Sequence, residues 1–312
     1  MELRIFVEPQ EGASYEQQLG VALAAEAHGF GAFFRSDHLL RIKPGSGAPG
    51  PTDSWVTLGA LARETSALRL GTMVTSATFR LPGPLAVAVA QVDEMSGGRV
   101  ELGLGSGWYE AEHSAYGIPF PPLAERLDRL EEQLTIVTGM WSTPAQQRYS
   151  FSGEHYRLSD SPALPKPVQR PHPPVIVGGL GERRTPALAA RFAGEFNVPF
   201  APVDLTAARI KGARAACEAA GRDPGELVCS HAITVCCASE RSELARRAER
   251  IGRDLDDLRR SGAAGSPAEV AARLEEYRQA GASRSYLQLI DMDDLDHLAL
   301  IAAEVMPQLG AR

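Results

Sequence analysis

The sequence predicts a single (β/α)8 barrel, the TIM-barrel fold, spanning residues 1–312 with an insertion after the fourth strand. Three observations lead to this fold class. Eight short apolar runs alternate with helical patterns along the chain, which is typical of βαβ units around a parallel sheet. Several runs are continuously apolar, as expected of strands buried on both faces. No stretch has the character of an independent second domain, and a barrel ordinarily takes about 250 residues before insertions.

The predicted strands are short and are separated by segments long enough for a helix. They span residues 3–7, 32–35, 68–75, 100–105, 175–177, 196–198, 227–235 and 286–290. Helical periodicity is clearest in 123–137, where five leucine and valine positions fall on one helix face. The same offsets recur in 244–258, and a last helix is expected over 293–309.

Two longer segments follow predicted strand ends. About 70 residues separate the fourth and fifth strands, far more than an ordinary connection, so we expect an insertion at about 110–173. It holds the long helix and then a proline-rich segment, 159–174, with extended backbone. Residues 41–52, rich in Gly and Pro, predict an exposed loop after the second strand. Barrel enzymes build their sites at this end of the strands.

Composition and charge exclude several classes of protein. The chain is 44% hydrophobic with a net charge of -7 and has no long Lys/Arg run, which argues against a nucleic-acid partner. No apolar run approaches the ~18 residues of a membrane span, and residues 1–10 lack the pattern of a signal peptide. The four cysteines form no CxxC pair and are expected to be buried, reduced thiols. Together these features predict a cytoplasmic protein without a membrane partner.

Polar motifs follow the second and third predicted strands. Asp37 and His38 come after the second strand; an imidazole exchanges a proton near neutral pH, and a neighbouring carboxylate can bind a polar ligand edge. A capped turn beside a merely hydrogen-bonded histidine is the alternative. After the third strand comes GTMVTSATFR (71–80), whose small hydroxyl residues allow a flat ligand to approach. The alternative there is β-branched residues filling a strand.

The fourth strand ends in GLGSGW (103–108). Its glycines permit close backbone approach and its Trp can stack on a ring or cover the core, but the spacing is not that of a dinucleotide-binding fingerprint. Glu110, Glu112 and His113 follow within one helical turn. No second histidine stands at a suitable spacing, so we predict no metal site.

The fifth strand leads into VIVGGLGERRTP (175–186). Three glycines expose backbone amides, the following helix offers the positive end of its dipole, and two arginines add charge. This combination predicts a phosphate site, with a ligand-free tight turn as the alternative. Neither a Walker A motif nor a G-x-S-x-G elbow occurs in the chain.

Four elements in this order resemble the bacterial luciferase-like superfamily, specifically its branch of oxidoreductases that use the deazaflavin coenzyme F420. They are RSDHL (35–39), GTMVTSATFR (71–80), GRVELGLGSGWYEAEHSAYGIPF (98–120) and VIVGGLGERRTPALAARFAGEFN (175–197). The resemblance covers nearly the whole chain. It implies a (β/α)8 barrel with an insertion after strand four, hydride transfer between deazaflavin and substrate, and a homodimer.

The resemblance also implies site residues. His38 matches the position proposed to exchange a proton near the deazaflavin ring, and Asp37 matches a residue that contacts the ring edge. In the family a non-proline cis peptide in the third strand backs the ring; here it would be Thr72–Met73, with Thr75 facing the ring. The implied ring pocket is Gly105, Ser106, Gly107 and Trp108, and the implied phosphate site is Gly178, Gly179, Leu180, Gly181, Glu182, Arg183 and Arg184.

Three departures from the sugar-phosphate dehydrogenases of this family predict a more apolar pocket. Those enzymes have Glu where this chain has Trp108, Trp where it has Ile42, and a Lys that finds no counterpart in NVPFAP (197–202). We therefore expect an F420-dependent oxidoreductase acting on a small, uncharged carbonyl, enone or imine. An FMN-dependent monooxygenase of the same superfamily is one alternative. A protein that binds deazaflavin without turnover is an alternative of another class.

Overall fold

Parallel strands close into a barrel in the computed structural model, which describes residues 1–310. The strands are β1 (Glu2–Val7), β2 (Ala32–Arg35), β3 (Arg69–Thr72), β4 (Thr75–Ser76), β5 (Val100–Gly105), β6 (Tyr149–Ser152), β7 (Arg157–Ser161), β8 (Val175–Gly178), β9 (Glu195–Pro199), β10 (Val228–Cys237), β11 (Ala263–Gly265) and β12 (Arg284–Leu289). Eight of them are hydrogen-bonded in the order β1, β2, β3, β5, β8, β9, β10 and β12, and β12 pairs again with β1. The predicted (β/α)8 barrel is thereby confirmed.

Helices surround the barrel. They are α1 (Tyr15–Ala27), α2 (Ser54–Glu64), α3 (Pro82–Ser96), α4 (Glu110–Ala115), α5 (Leu123–Ser142), α6 (Arg184–Phe192), α7 (Val203–Ala219), α8 (Arg241–Ile251), α9 (Leu255–Ser261), α10 (Pro267–Gln279) and α11 (Leu295–Leu300). Local sequence explains where two helices begin. Ser14 and Gln17 form a capping box on α1, and the Asp53 carboxylate accepts hydrogen bonds from two first-turn N–H groups of α2. None of the helices in residues 1–310 has both the length and the hydropathy that a membrane span requires.

Two predicted helices differ in the structure. The helix predicted over 244–258 is broken into α8 and α9, because Gly252 takes a left-handed conformation (φ 73°) that ends α8 and Asp254 caps a new helix. The segment predicted as a helix over 293–309 contains α11 and then π-helical and 3-10 turns. Pro307, which has no N–H to donate, lies at the start of the 3-10 turn.

The third barrel strand is interrupted beside the cavity described below. A cis peptide joins Met73 and Val74, one bond later than the predicted Thr72–Met73 bond. The prediction was wrong by one residue because Thr72 still pairs with Arg35 and the Met73 N–H still donates to the Arg35 carbonyl at 2.9 Å. The ladder therefore includes the Thr72–Met73 peptide, and the irregular bond follows it.

The segment between β5 and β8 is only partly an addition to the barrel. Helix α5 lies between α3 and α6 in the helical ring, so it is the barrel's own fourth helix. The additions are α4 and an antiparallel hairpin of β6 and β7. Periodicity did not predict this hairpin, because only Tyr149, Phe151 and Leu158 alternate toward the core, which is too short a pattern to distinguish from a loop.

The barrel interior consists of a charged layer and an apolar layer. Near the strand N-termini, Arg4 Nη1 donates to Glu101 at 2.7 Å and to the Tyr286 hydroxyl at 3.1 Å, and Arg284 pairs with Glu195. Toward the C-terminal mouth, apolar side chains fill the interior: Phe6, Phe34, Met73, Ile176, Ala232 and Tyr286. This apolar layer forms the floor beneath the mouth of the barrel.

Candidate active site

A cavity of about 440 Å³ opens at the C-terminal mouth of the barrel, within the usual size range of ligand pockets. Residues near or just beyond the C-terminal ends of six barrel strands line it, together with Ala232 within β10. Among the predicted site residues, the wall contains Asp37, His38, Met73, Gly105, Ser106, Gly107, Trp108, Gly178 and Gly179. The remaining predicted residues lie outside the wall: Thr72, Thr75, Leu180, Gly181, Glu182, Arg183 and Arg184.

The His38 side chain is held by a carboxylate from another element. Its Nδ1 lies 2.9 Å from Oε1 and 3.1 Å from Oε2 of Glu112, which is on α4 and only 1% exposed. The backbone N–H of Leu39 also donates to Glu112 Oε2, at 2.9 Å. Because a carboxylate accepts at Nδ1, Nδ1 carries the hydrogen and Nε2 is the nitrogen available for proton exchange.

The surroundings of His38 act on its pKa in opposite directions. Burial lowers the pKa, since it disfavours the charged imidazolium. The hydrogen bond to Glu112 and the charges of Glu112, Glu8 and Asp37 act the other way and prevail, so that the pKa of His38 is raised above its ordinary 6.5. His38 therefore keeps its second proton to a higher pH than an exposed histidine does.

Asp37 is fixed in the wall by neighbours behind it. Thr75 Oγ1 donates to Asp37 Oδ2 at 2.8 Å, and Arg80 lies 3.3 Å from Oδ1 while also pairing with Asp53. Thr75, which was expected to face the ring, is not part of the cavity wall: its side chain is fully buried and accepts a hydrogen bond from Trp55 Nε1 at 3.3 Å. Thr75 thus acts on the cavity through Asp37.

The glycines at the end of β5 allow two backbone segments to pack closely. The Thr72 hydroxyl donates to the Gly103 carbonyl at 3.0 Å behind the wall. A Cβ on Gly103 would lie 1.9 Å from the Thr72 carbonyl oxygen, and one on Gly107 would lie 2.4 Å from Ser76 Oγ. Gly107 also has a positive φ of 78°. The Gly-rich motif is therefore required by packing as well as by exposure to the cavity.

The glycine-rich loop after β8 runs from the wall to the start of α6. Gly178 and Gly179 lie in the wall, and Gly179 adopts φ 148°, a conformation open to glycine. Helix α6 has no side-chain cap on its first turn, so its leading amides are available to an anion. A planar ring against the glycine wall, with its phosphate at this helix start, fits the residues present.

Two charged residues of this loop form ion pairs within residues 1–310, and one does not. Arg184 pairs with Asp128 on α5 at 2.6 Å, and Glu182 pairs with Arg209 at 3.0 Å. Arg183 takes part in none of the ion pairs within residues 1–310. Of the two arginines predicted for the phosphate site, Arg183 therefore has the more available charge.

His113 and Glu112, which follow β5 and are of metal-binding residue types, make other contacts in the structure. His113 is fully buried, with Nε2 2.6 Å from the Thr78 hydroxyl and Nδ1 2.7 Å from the Tyr109 carbonyl. Glu112 binds His38. In the described part of the chain, no cluster of three or more His, Cys, Asp or Glu side chains could hold a metal ion.

Eight polar or aromatic residues of the wall were not among the predicted site residues: Phe6, Glu8, Ser36, Ser76, Phe79, Glu112, Asn197 and Phe200. Asn197 donates to the Ser230 hydroxyl at 2.8 Å. A signal for Glu8 was present, since it directly follows β1, where functional residues of barrels are expected. The pairing of Glu112 with His38 had no local signal, because the two are 74 positions apart.

Comparison with known proteins identifies the family of this chain. The chain belongs to the luciferase-like monooxygenase family, whose model matches residues 1–256. This membership confirms the family resemblance, and the chain is an enzyme of the luciferase-like family.

Curated relatives differ in their cofactors. The chain is 33% identical over 210 residues to an F420-dependent glucose-6-phosphate dehydrogenase of Nakamurella multipartita, covering 66% of this chain and 59% of that protein. It is 34% identical over 145 residues to an FMNH2-dependent dimethylsulfone monooxygenase of Pseudomonas putida, covering 45% of this chain and 38% of that protein. The chain thus spans less than two thirds of each of these two relatives.

Solved structures match over nearly the whole chain. The monooxygenase RslO1 from Streptomyces bottropensis superposes with a TM-score of 0.82 at 25% identity, covering 98% of this chain and 99% of its own. An F420-dependent secondary alcohol dehydrogenase superposes with a TM-score of 0.84 at 18% identity, covering 99% of this chain and 98% of its own. The second likeness shows the fold alone.

Proposed function

We propose that this chain is an F420-dependent oxidoreductase that transfers a hydride between the deazaflavin and a small, uncharged carbonyl, enone or imine. The observation that carries the proposal is the hydrogen bond of His38 to Glu112 at the wall of a largely apolar cavity. The relative named as an F420-dependent dehydrogenase supports the choice of cofactor.

The residues that would hold the cofactor form two groups. Gly105 and Gly107, with Gly178 and Gly179, give a wall without side chains for the ring, and the start of α6 with Arg183 provides amides and charge for the phosphate. When bound, a deazaflavin supplies a ring carbon that accepts or donates a hydride.

The chain's own residues supply proton transfer and orientation. His38 Nε2 takes the proton from a substrate alcohol, or gives it to a carbonyl oxygen or imine nitrogen, as the hydride moves. Glu112 holds the Nδ1–H and stabilises the imidazolium that forms. Apolar side chains, among them Phe6 and Phe200, exclude water from the reacting groups.

The wall favours a substrate without charge. In the part of the chain that the structure describes, no Lys or Arg side chain lines the cavity, so a sugar phosphate finds neither of these phosphate-binding side chains there. Trp108, which stands where sugar-phosphate dehydrogenases have Glu, is exposed at the cavity rim.

Turnover with reduced F420 tests this function. Cyclic enones, ketones and imines are offered with reduced F420, and glucose 6-phosphate, a hydride donor, is offered with oxidised F420. Wild type and His38→Ala are compared by the absorbance of oxidised F420 at about 420 nm. We expect turnover of uncharged members and a loss of about 100-fold or more in His38→Ala, the usual size of acid–base catalysis. Activity confined to sugar phosphates, or unchanged in His38→Ala, would contradict the proposal.

An FMN-dependent monooxygenase is the second candidate. The dimethylsulfone monooxygenase relative and the likeness to RslO1 favour it. It requires oxygen consumption coupled to reduced FMN, which the F420 reaction does not. Binding of F420 without any turnover would instead indicate the non-catalytic protein. Homodimer formation and a cytoplasmic location stay predictions.

A further inference from the structure

Glu8 is a carboxyl group of the cavity wall that the proposed reaction does not use. It follows β1 directly, and its Oε2 accepts a hydrogen bond from Gln288 Nε2 at 2.7 Å. Whereas Asp37 pairs with Arg80 and Glu112 with His38, no ion pair within residues 1–310 includes Glu8.

Gln288 is itself oriented by the barrel. The buried Thr234 hydroxyl donates to Gln288 Oε1, which leaves the amide NH2 of Gln288 directed at Glu8. One oxygen of Glu8 is thereby fixed. The other, Oε1, has no hydrogen-bond partner among the described residues, although its side chain lines the cavity. A fixed polar atom without a protein partner in a ligand cavity is suited to bind a ligand.

The surroundings favour a neutral partner over a cation. Apolar residues Phe6, Pro199, Phe200 and Ala232 belong to the same wall. Burial raises the pKa of Glu8, and the nearby Glu11 charge adds to this, while His38, Lys43 and the Gln288 hydrogen bond only partly oppose it. A carboxyl group with a raised pKa has a larger neutral fraction, which donates one hydrogen bond and accepts another.

We propose that Glu8 Oε1 binds a second oxygen group of the substrate, a hydroxyl or carbonyl remote from the reacting centre. Glu8 is thus a specificity-determining residue: it selects molecules that are apolar apart from this group and the group that reacts. The proposal rests on the proposed function, because it places the substrate in the same cavity.

Matched pairs of probes test it. Cyclohex-2-enone is compared with its 4-, 5- and 6-hydroxy derivatives, and with its 4-ammonium derivative as a cation. The proteins are wild type, Glu8→Ala, Glu8→Gln and the control Glu11→Gln, whose carboxylate pairs with Arg41 at 3.2 Å outside the cavity wall. For each probe, kcat/KM is measured with reduced F420, and the affinity of the protein for the probe is measured by calorimetry.

We expect wild type to prefer at least one hydroxylated probe, and Glu8→Ala to reduce this preference about tenfold, the effect of one lost hydrogen bond. The loss should fall on KM more than on kcat, since the contact is the same in substrate and transition state. Glu8→Gln, which also donates and accepts, should keep most of the preference. Glu11→Gln should keep it as well, because it leaves the Glu8 side chain in place and only reduces the rise in its pKa. Affinity for F420 should be the same in all four proteins.

Other results would overturn it. An unchanged preference in Glu8→Ala with F420 binding intact, no preference in wild type, or a preference for the ammonium probe alone each contradicts a neutral contact at Glu8. If wild type neither binds F420 nor reduces any probe, the proposed function fails. Calorimetric binding of the probes, which needs no turnover, then still decides the role of Glu8.

Discussion

The contact of His38 with the Glu112 carboxylate affects the pKa of the imidazole more than burial does when the other nearby charges act with it. Taken alone, burial would leave His38 neutral at physiological pH. The Glu112 carboxylate, itself 1% exposed, accepts the Nδ1 hydrogen and raises the pKa instead. In the proposed reaction the exchanged proton is therefore the one at Nε2, on a ring that Glu112 of α4 holds in place.

In the pH profile of kcat/KM, the rising or falling limb caused by titration of His38 should shift when Glu112 is replaced. Whether the reaction needs His38 neutral as a base or protonated as an acid, this limb should lie above pH 6.5 in wild type, because the pKa is raised. In Glu112→Gln the carboxylate charge is lost, so the limb should move to lower pH. We also expect kcat to fall by up to about 100-fold from misplacement of the ring.

The matched control is Glu110→Gln, which removes an exposed carboxylate from the same helix. It should leave the His38 limb in place. A Glu112→Gln profile that coincides with wild type, measured from kcat/KM over pH 5 to 9, would show that Glu112 has only a structural role.

At the scale of elements, the end of β5 is shaped by contact with the interrupted third strand. Gly103 packs directly against the Thr72 carbonyl, and no side chain fits between them. This explains why glycines recur at this strand end in the absence of a dinucleotide-binding spacing. Local sequence predicted the strand, but the partner of each glycine depends on a segment about 30 residues earlier.

Gly103→Ala should therefore destabilise the barrel. The added methyl group would lie 1.9 Å from a backbone oxygen, and overpacking of this kind costs about 1–3 kcal/mol or more. The control is Gly212→Ala within α7, where nothing lies within 4 Å of the added atom; it should stabilise by about 0.5–1 kcal/mol. Urea unfolding measures both, and equal stability of Gly103→Ala and wild type would show that the contact is not rigid.

Element boundaries show where sequence periodicity stops being informative. The apolar residues of 244–258 do recur at helical spacing, but Gly252 ends one helix and Asp254 caps the next. The cis peptide lies at Met73–Val74, because pairing of Thr72 with β2 determines where the strand departs from its ladder. The position of the cis peptide depends on pairing with a neighbouring strand, and the local sequence carries no information about that pairing.

For the whole molecule, the order of apolar runs was sufficient to predict the barrel and the end at which its cavity opens. Strand order follows from right-handed βαβ connections, so residues after strand ends meet at one mouth. This logic located Asp37, His38 and the glycine wall. It could not pair His38 with Glu112 or orient Glu8, since those contacts join side chains from separate elements.

The barrel also separates stability from function along its axis. The buried charged layer of Arg4, Glu101, Glu195 and Arg284 occupies the N-terminal end, and the apolar layer lies between it and the cavity. Such a division is general in barrel enzymes. It leaves the residues at the mouth free to vary with cofactor and substrate.

We propose that this mouth binds deazaflavin in preference to flavin. Fluorescence titration of the purified protein with F420 and, separately, with FMN tests this preference most directly. Trp108 lines the cavity and is 61% exposed, whereas Trp55 and Trp141 are buried, so the change in emission should largely disappear in Trp108→Phe. We predict saturable quenching by F420 with a lower Kd than for FMN. Tighter binding of FMN, or binding of neither, would contradict this cofactor preference.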